Sequence, residues 1–300
     1  MKKHKICLIL RNNPGWKGGS EYIKNILFSF SYLRAHDRKK VELHLINFDN
    51  SIDTINFHKY CDYLHSYSDL KSSILRKFFH MKKFLKLKEF IFSLIIIYKQ
   101  KINFVFPFPN FLSLIGVNSA LWIPDFQHHH FGKFFSNKEV RYRNKKFKKI
   151  LQSTNNIVLS SKDCKKDLRK FYGFFNKRIY VLNFRAFLNK KWLKKNPDFI
   201  IEKYNLPEKF FLISNQFWRH KNHLLVFKAL NYLKCEKNIY PNIVFTGKLF
   251  NRDEKFANLI IENIYKYKIN DQIFLLDVIP KENQFLLMRK CIAIIQPSLF

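Results

Sequence analysis

Short apolar runs alternate along this chain with stretches whose apolar residues recur at helical spacing. The runs are Lys5 to Leu10, Val41 to Asn47, Ile102 to Phe106, Ala120 to Ile123, Asn156 to Ser160 and Arg178 to Phe184, then Phe210 onward, Asn242 to Thr246, Gln272 to Val278 and Cys291 to Gln296. A strand without a polar alternate residue must be covered on both faces, and strict alternation with helices supplies that cover in a parallel sheet. After the first run comes the loop RNNPGWKGGS, and then Tyr22, Ile23, Ile26, Leu27, Phe30 and Leu33 mark a helix. Strand, glycine-bearing loop and helix open a Rossmann-like unit. The alternation breaks at a polar, Lys-rich connection between Arg185 and Pro207. The fold class is therefore α/β, with two Rossmann-like parallel-sheet domains: residues 1–188, a linker over 189–206, and residues 207–300.

A hydrophobic fraction of 47% supports two real cores. The charge is the unusual quantity: 55 Lys and Arg stand against 22 Asp and Glu, a formal +33. Codon bias toward A/T accounts for lysine but not for missing acids, so an anionic partner is expected: nucleic acid, acidic phospholipid or a phosphorylated substrate. Lysines and arginines between residues 71 and 90 interleave with Leu75, Phe78, Phe79, Met81, Phe84, Leu85 and Leu87. This reads either as a solvated helix face or as a basic amphipathic helix on an anionic membrane surface. No ribonucleoprotein-type, helix-turn-helix or zinc-finger pattern supports specific nucleic-acid binding.

The five cysteines are dispersed, which fits a reducing compartment and no disulfide framework or zinc site. The apolar start ends at Arg11, too short for a signal peptide, and Ile91 to Tyr98 is far short of a membrane span. A cytoplasmic protein, peripheral at the inner membrane face, is the expectation.

Function in parallel sheets gathers at the carboxyl ends of strands. Four clusters fall there: Gly18-Gly19, Asp125 with His128-His129-His130, the loop from Gln216 to His223, and Gly247. Gly18-Gly19 lacks the spaced dinucleotide fingerprint and reads equally as a plain turn. Three consecutive histidines point to different sides, so no metal is expected; Asp125 and His128 read as acid–base or substrate-orienting groups, or as a polar loop. Lys221 stands where a helix begins. A cation there is unfavourable unless an anion joins it, and free backbone N–H groups make such a terminus a phosphate site.

Three segments carry a resemblance: WIPDFQHHHFGKFFS at 122–136, SNQFWRHKNHLLVFKAL at 214–230, and QIFLLDVIPKENQFLLMRKCIAIIQPSLF at 272–300. They resemble glycosyltransferases of family 4, bacterial group 1-type sugar transferases. The resemblance implies the GT-B fold, with two Rossmann-like domains facing a cleft. It also implies a nucleotide-sugar donor on the second domain, a glycan or lipid-linked acceptor on the first, and transfer with retention in surface polysaccharide synthesis. The nucleotide sugar is a substrate; no cofactor and no metal is implied. Gly18 and Gly19 resemble the loop that approaches the donor, and His128 the histidine contacting the sugar; Gly247 is assigned to the donor site by its place at a strand's carboxyl end. Lys221 matches the diphosphate-holding lysine. Gln216 stands where relatives carry an arginine, so Arg219 or His220 is expected to lend phosphate support.

Relatives continue from the proline-serine strand into a segment with two glutamates. This sequence ends at Phe300, so a truncated second domain with an open hydrophobic sheet edge is expected. The alternative reading is an inactive remnant that only binds a membrane or partner.

Overall fold

A computed structural model describes residues 3–11, 17–48, 57–67, 85–108, 117–173, 176–250 and 253–299. The chain divides into two compact units, Met1–Phe187 and Leu188–Phe300.

In the first unit, strands β1 (His4–Leu10), β2 (Val41–Asn47), β3 (Tyr63–His65), β4 (Phe104–Phe106) and β5 (Asn118–Ser119) form a parallel sheet in the order β3-β2-β1-β4-β5. Strands β6 (Leu121–Ile123), β7 (Asn156–Leu159) and β8 (Arg178–Val181) form a second parallel sheet, order β6-β7-β8. Ala120 joins the two: its N–H donates to the Val105 carbonyl and its own carbonyl accepts from Phe108.

The two-residue period of β1 explains the layers. Cys7 and Ile9 face a core with Phe92, Ile96 and Ile97 of helix α3 (Leu85–Lys99). Leu8 and Leu10 face another with Tyr22, Ile23 and Leu27 of helix α1 (Lys17–Ser29), which precedes the short α2 (Ala35–Lys39). Both faces of the strand are thus dry, as an uninterrupted apolar run requires. Helix α1 begins at Lys17, so Gly18 and Gly19 occupy its first turn, not a loop before it. First-turn N–H groups have no intrahelical acceptor. Residues 71–84 of the expected basic helix lie outside the described residues; 85–90 begin α3. No helix among the described residues is long and apolar enough to cross a membrane.

Helices α4 (Gln127–His130), α5 (Asn137–Ser153) and α6 (Lys162–Tyr172) complete this unit. Ser136 and Ser161 cap the latter two, accepting from the N–H of Glu139 and Cys164.

The second unit is built the same way. Strands β9 (Phe211–Ser214), β10 (Ile243–Thr246) and β11 (Ile273–Leu275) run parallel in the order β11-β10-β9. Ile213, Ile243 and Phe245 face helices α9 (His223–Lys237) and α10 (Glu254–Lys266). Leu212 and Val244 face Leu286 and Leu287 of helix α11 (Lys281–Lys290).

Two expectations are corrected here. The stretch read as a linker folds into helices α7 (Lys190–Leu193) and α8 (Phe199–Tyr204) and packs within the second unit. Ile200 is fully buried there, Arg289 donates to the carbonyls of Trp192 and Lys195, and Lys290 pairs with Asp198. Polar composition hid this: only Ile200 and Leu206 of the stretch are buried, while Leu193 and Phe199 stay exposed. The strand expected over Cys291 to Gln296 reduces to one bridge, Leu212 with Ile294, flanked by bonds from Ile292 N–H to the Phe210 carbonyl and from Ile295 N–H to the Leu212 carbonyl. Ile292 and Ile294 remain half exposed.

Candidate functional site

The residues singled out in the second unit converge on the carboxyl ends of its strands. After β9 the chain turns at Gln216 and Trp218 and makes one 3-10 turn over Arg219–Lys221. It enters α9 through Asn222, whose backbone is left-handed (φ 58°). Asparagine tolerates that conformation better than most residues. Its side chain does not cap the helix but donates to the Pro297 carbonyl at 3.2 Å, and the first turn of α9 holds no acidic residue. The helix N-terminus therefore has neither a side-chain cap nor a countercharge, the condition in which an anion binds well.

Lys221 sits beside it. Its ammonium has no ion-pair partner among the described residues, and burial alone pulls its pKa below the ordinary lysine value. A desolvated cation without a carboxylate is an unfavourable state that an arriving anion relieves.

Gly247, which follows β10, takes φ +124°. A Cβ there would lie 2.2 Å from the Asn215 carbonyl oxygen, so only glycine lets the two loops touch. Three hydrogen bonds lock this junction: Asn215 N–H to Thr246 O at 3.1 Å, Gly247 N–H to Asp277 O at 2.7 Å, and Lys248 N–H to Gln216 Oε1 at 3.1 Å. Gln216 thus spends its carbonyl oxygen on the junction. Its amide nitrogen has no partner among the described residues.

Arg219, expected to lend phosphate support, is already committed. It makes two bonds to Asp253, at 2.7 and 3.2 Å, and lies over the Phe256 ring. Asp253 also caps α10 through the Phe256 N–H, so this pair holds α10 against the loop. His220 is buried, and its carbonyl accepts from Leu299 at 2.9 Å. The segment 296–299 is a strap that the sequence did not reveal, pinned to the loop by Asn215, Asn222 and His220.

A cleft of about 220 Å³ opens beside the loop, lined by Phe217, Gly247, Lys248, Leu249, Phe250, Leu275 and Asp277.

In the first unit, Asp125 and His128 follow β6. Asp125 Oδ1 accepts the Gln127 N–H at 3.1 Å and so shapes the turn into α4. The three histidines lie on the helical turn α4, not on an extended segment, and reach different partners: His128 reaches Asn144 at 2.9 Å, His129 reaches Tyr172 at 3.1 Å, and His130 reaches Asp167 at 2.9 Å. Among the described residues no three His, Cys, Asp or Glu side chains gather as metal ligands would. The Tyr172 hydroxyl also donates to Asn144 Oδ1. That oxygen is thus an acceptor, His128 carries its proton on Nε2, and Nδ1 presents an unpaired lone pair.

Two buried rings make stability pH-dependent. Burial pushes His128 down to about 4. It does the same to His223, which stacks on Phe217 and has no partner at either ring nitrogen, with Lys221 and His220 adding repulsion. Below 6.5 the unfolded chain takes up these protons while the folded chain does not, so stability present above 6.5 is lost as pH falls toward 4. Each ring accounts for on the order of 3 kcal/mol. Unfolding midpoints measured from neutral pH down to pH 4 should fall, and His223→Phe should flatten part of the slope. A midpoint independent of pH contradicts the assignment.

No family model and no characterised protein sequence matches the chain. Solved structures do. A glycosyltransferase from Rickettsia africae ESF-5 is 16% identical with a TM-score of 0.64, over 100% of this chain and 74% of that one. Sucrose-phosphate synthase from Thermosynechococcus elongatus is 14% identical with a TM-score of 0.67, over 99% and 76%. HepE from Anabaena, in complex with UDP and glucose, is 11% identical with a TM-score of 0.61, over 97% and 73%. At these identities the likeness is one of fold, and the fold is that of the GT-B-type glycosyltransferases.

Proposed function

We propose that the protein is a glycosyltransferase that takes a sugar from a nucleoside-diphosphate donor. The observation that carries this is Lys221: an uncompensated, desolvated cation beside an uncapped helix N-terminus, at the carboxyl end of a parallel strand. The leaving diphosphate gains charge as the bond from the anomeric carbon to the phosphate oxygen breaks. Cations and backbone amides already in place stabilise that charge without reorganisation. Lys221, the amides of α9 and the free Gln216 amide would hold the diphosphate, with Gly247 allowing the close approach. The acceptor hydroxyl forms the new bond to the anomeric carbon, and its proton leaves with the departing diphosphate. This scheme uses no metal and no cofactor.

In the first unit, the sequence resemblance assigns His128 to the sugar; its ring is buried here, and Asp125 fixes the turn that carries it, so contact with a sugar hydroxyl requires that turn to open. Gly18 and Gly19, in the first turn of α1, are assigned to the donor by the sequence resemblance. A glycan or lipid-linked acceptor, retention of configuration and a role in surface polysaccharide follow from the sequence resemblance. The excess of cations supports docking on an anionic membrane surface.

The test is incubation of the protein with a panel of nucleotide sugars and lipid-linked acceptors, following release of the nucleoside diphosphate. Release that requires a sugar nucleotide and rises with acceptor is expected. A protein that neither binds a nucleoside diphosphate nor releases one from any donor is not a sugar transferase.

A further inference from the structure

We infer that Asp277 sets which nucleobase the second unit accepts, and that the base is guanine. The inference rests on the donor site proposed above. The cleft beside the anion loop shares Phe217 and Gly247 with it, so a nucleoside attached to a diphosphate at Lys221 extends into this cleft. Its walls are Phe217, Leu249, Phe250 and Leu275, apolar faces of the kind on which a planar base stacks.

Asp277 supplies the acidic group of that lining. Its backbone is left-handed (φ 53°) and its carbonyl is bound to the Gly247 N–H, so the residue is fixed in place. Its carboxylate has no hydrogen-bond or ion-pair partner among the described residues, in a chain with 55 cations to 22 acids. An ionised carboxylate only accepts hydrogen bonds. A carboxylate repels a diphosphate, and Asp277 shares its cleft with Phe217, Leu249, Phe250 and Leu275, so the part of the nucleotide it would recognise is the base stacked there.

There the four bases differ. Guanine presents two adjacent donors, N1–H and the N2 amine, which match the two carboxylate oxygens. Uracil presents one N–H between two carbonyl oxygens, and both repel a carboxylate. Adenine and cytosine present an amine beside a ring lone pair, one attraction and one repulsion. A carboxylate therefore selects guanine partly by rejecting the others.

Titration calorimetry of the 300-residue chain with GDP, UDP, ADP and CDP tests this. GDP is expected to bind about ten- to a hundredfold more tightly than UDP, the range of one or two hydrogen bonds to a charged group. Asp277→Asn keeps a side chain that tolerates the left-handed backbone, so an unchanged unfolding midpoint is expected. An amide can donate as well as accept, so this variant should lose most of the GDP preference and gain affinity for UDP. UDP binding as tightly as GDP overturns the inference and leaves the donor site standing. An equal loss for all four ligands in Asp277→Asn places the carboxylate on the ribose, which also overturns it. If none of the four binds, the donor site itself is refuted.

Discussion

Gly247→Ala is expected to cost on the order of 3 kcal/mol or more of stability and to abolish nucleoside-diphosphate binding. Two penalties coincide at this position. The backbone sits at φ +124°, where an L side chain is strained, and the new Cβ would stand 2.2 Å from the Asn215 carbonyl oxygen. That oxygen belongs to backbone, so no rotamer change relieves the clash, and the loop bearing Gln216 and Lys221 must move away from β10. The bonds from Asn215 to Thr246 and from Lys248 to Gln216 would go with it. Gly173→Ala is the matched control. It also has positive φ, +85°, but nothing lies within 4 Å of its Cβ. Strain alone should cost that variant about 1 kcal/mol. Urea unfolding of the three proteins gives the comparison; similar losses for both variants would mean the close approach at Gly247 has no energetic role.

Gly247 also shows what a sequence conveys and what it hides. That a glycine ends an apolar run is plain from the letters. That it abuts Asn215, 32 positions earlier, depends on parallel pairing of β9 with β10, which alternation implies but does not register. The strands buried on both faces were legible because an apolar run has few other uses. Tyr63–His65 was not: it is three residues long, and its inward side chain is His65, hydrogen-bonded to the buried His44. Likewise the sequence shows arginine at 219 without showing Asp253 across the fold to occupy it.

Gln216 is the more instructive case. Set against an expected arginine, it looks like a lost charge. In the structure its Oε1 accepts the Lys248 N–H, which an arginine, having no acceptor, could not do. The substitution exchanges a phosphate-binding charge for a bond that ties the two loops together. It leaves Lys221 as the cation beside the uncapped helix that pairs with nothing among the described residues.

That makes Lys221→Ala the decisive variant for function. The folded protein should lose nothing in stability, because Lys221 has no ion-pair partner to break and its burial disfavours the charged form. Affinity for a nucleoside diphosphate should fall about a hundredfold, as expected for removing a charge-assisted contact. Turnover should fall further, by about a hundred- to a thousandfold, because the charge on the leaving group is larger in the transition state than in the donor. The pH dependence separates this from a general loss of structure. The Lys221 pKa is lowered from 10.5, so diphosphate affinity in the unaltered protein should decline with rising pH before an ordinary lysine would lose its proton. The alanine variant should lack that decline. A variant with normal folding, normal affinity and normal turnover would remove Lys221 from the site. The uncapped amides of α9 alone would not then justify calling the loop a diphosphate grip, since a helix N-terminus without a cation is a common feature of proteins that bind no nucleotide.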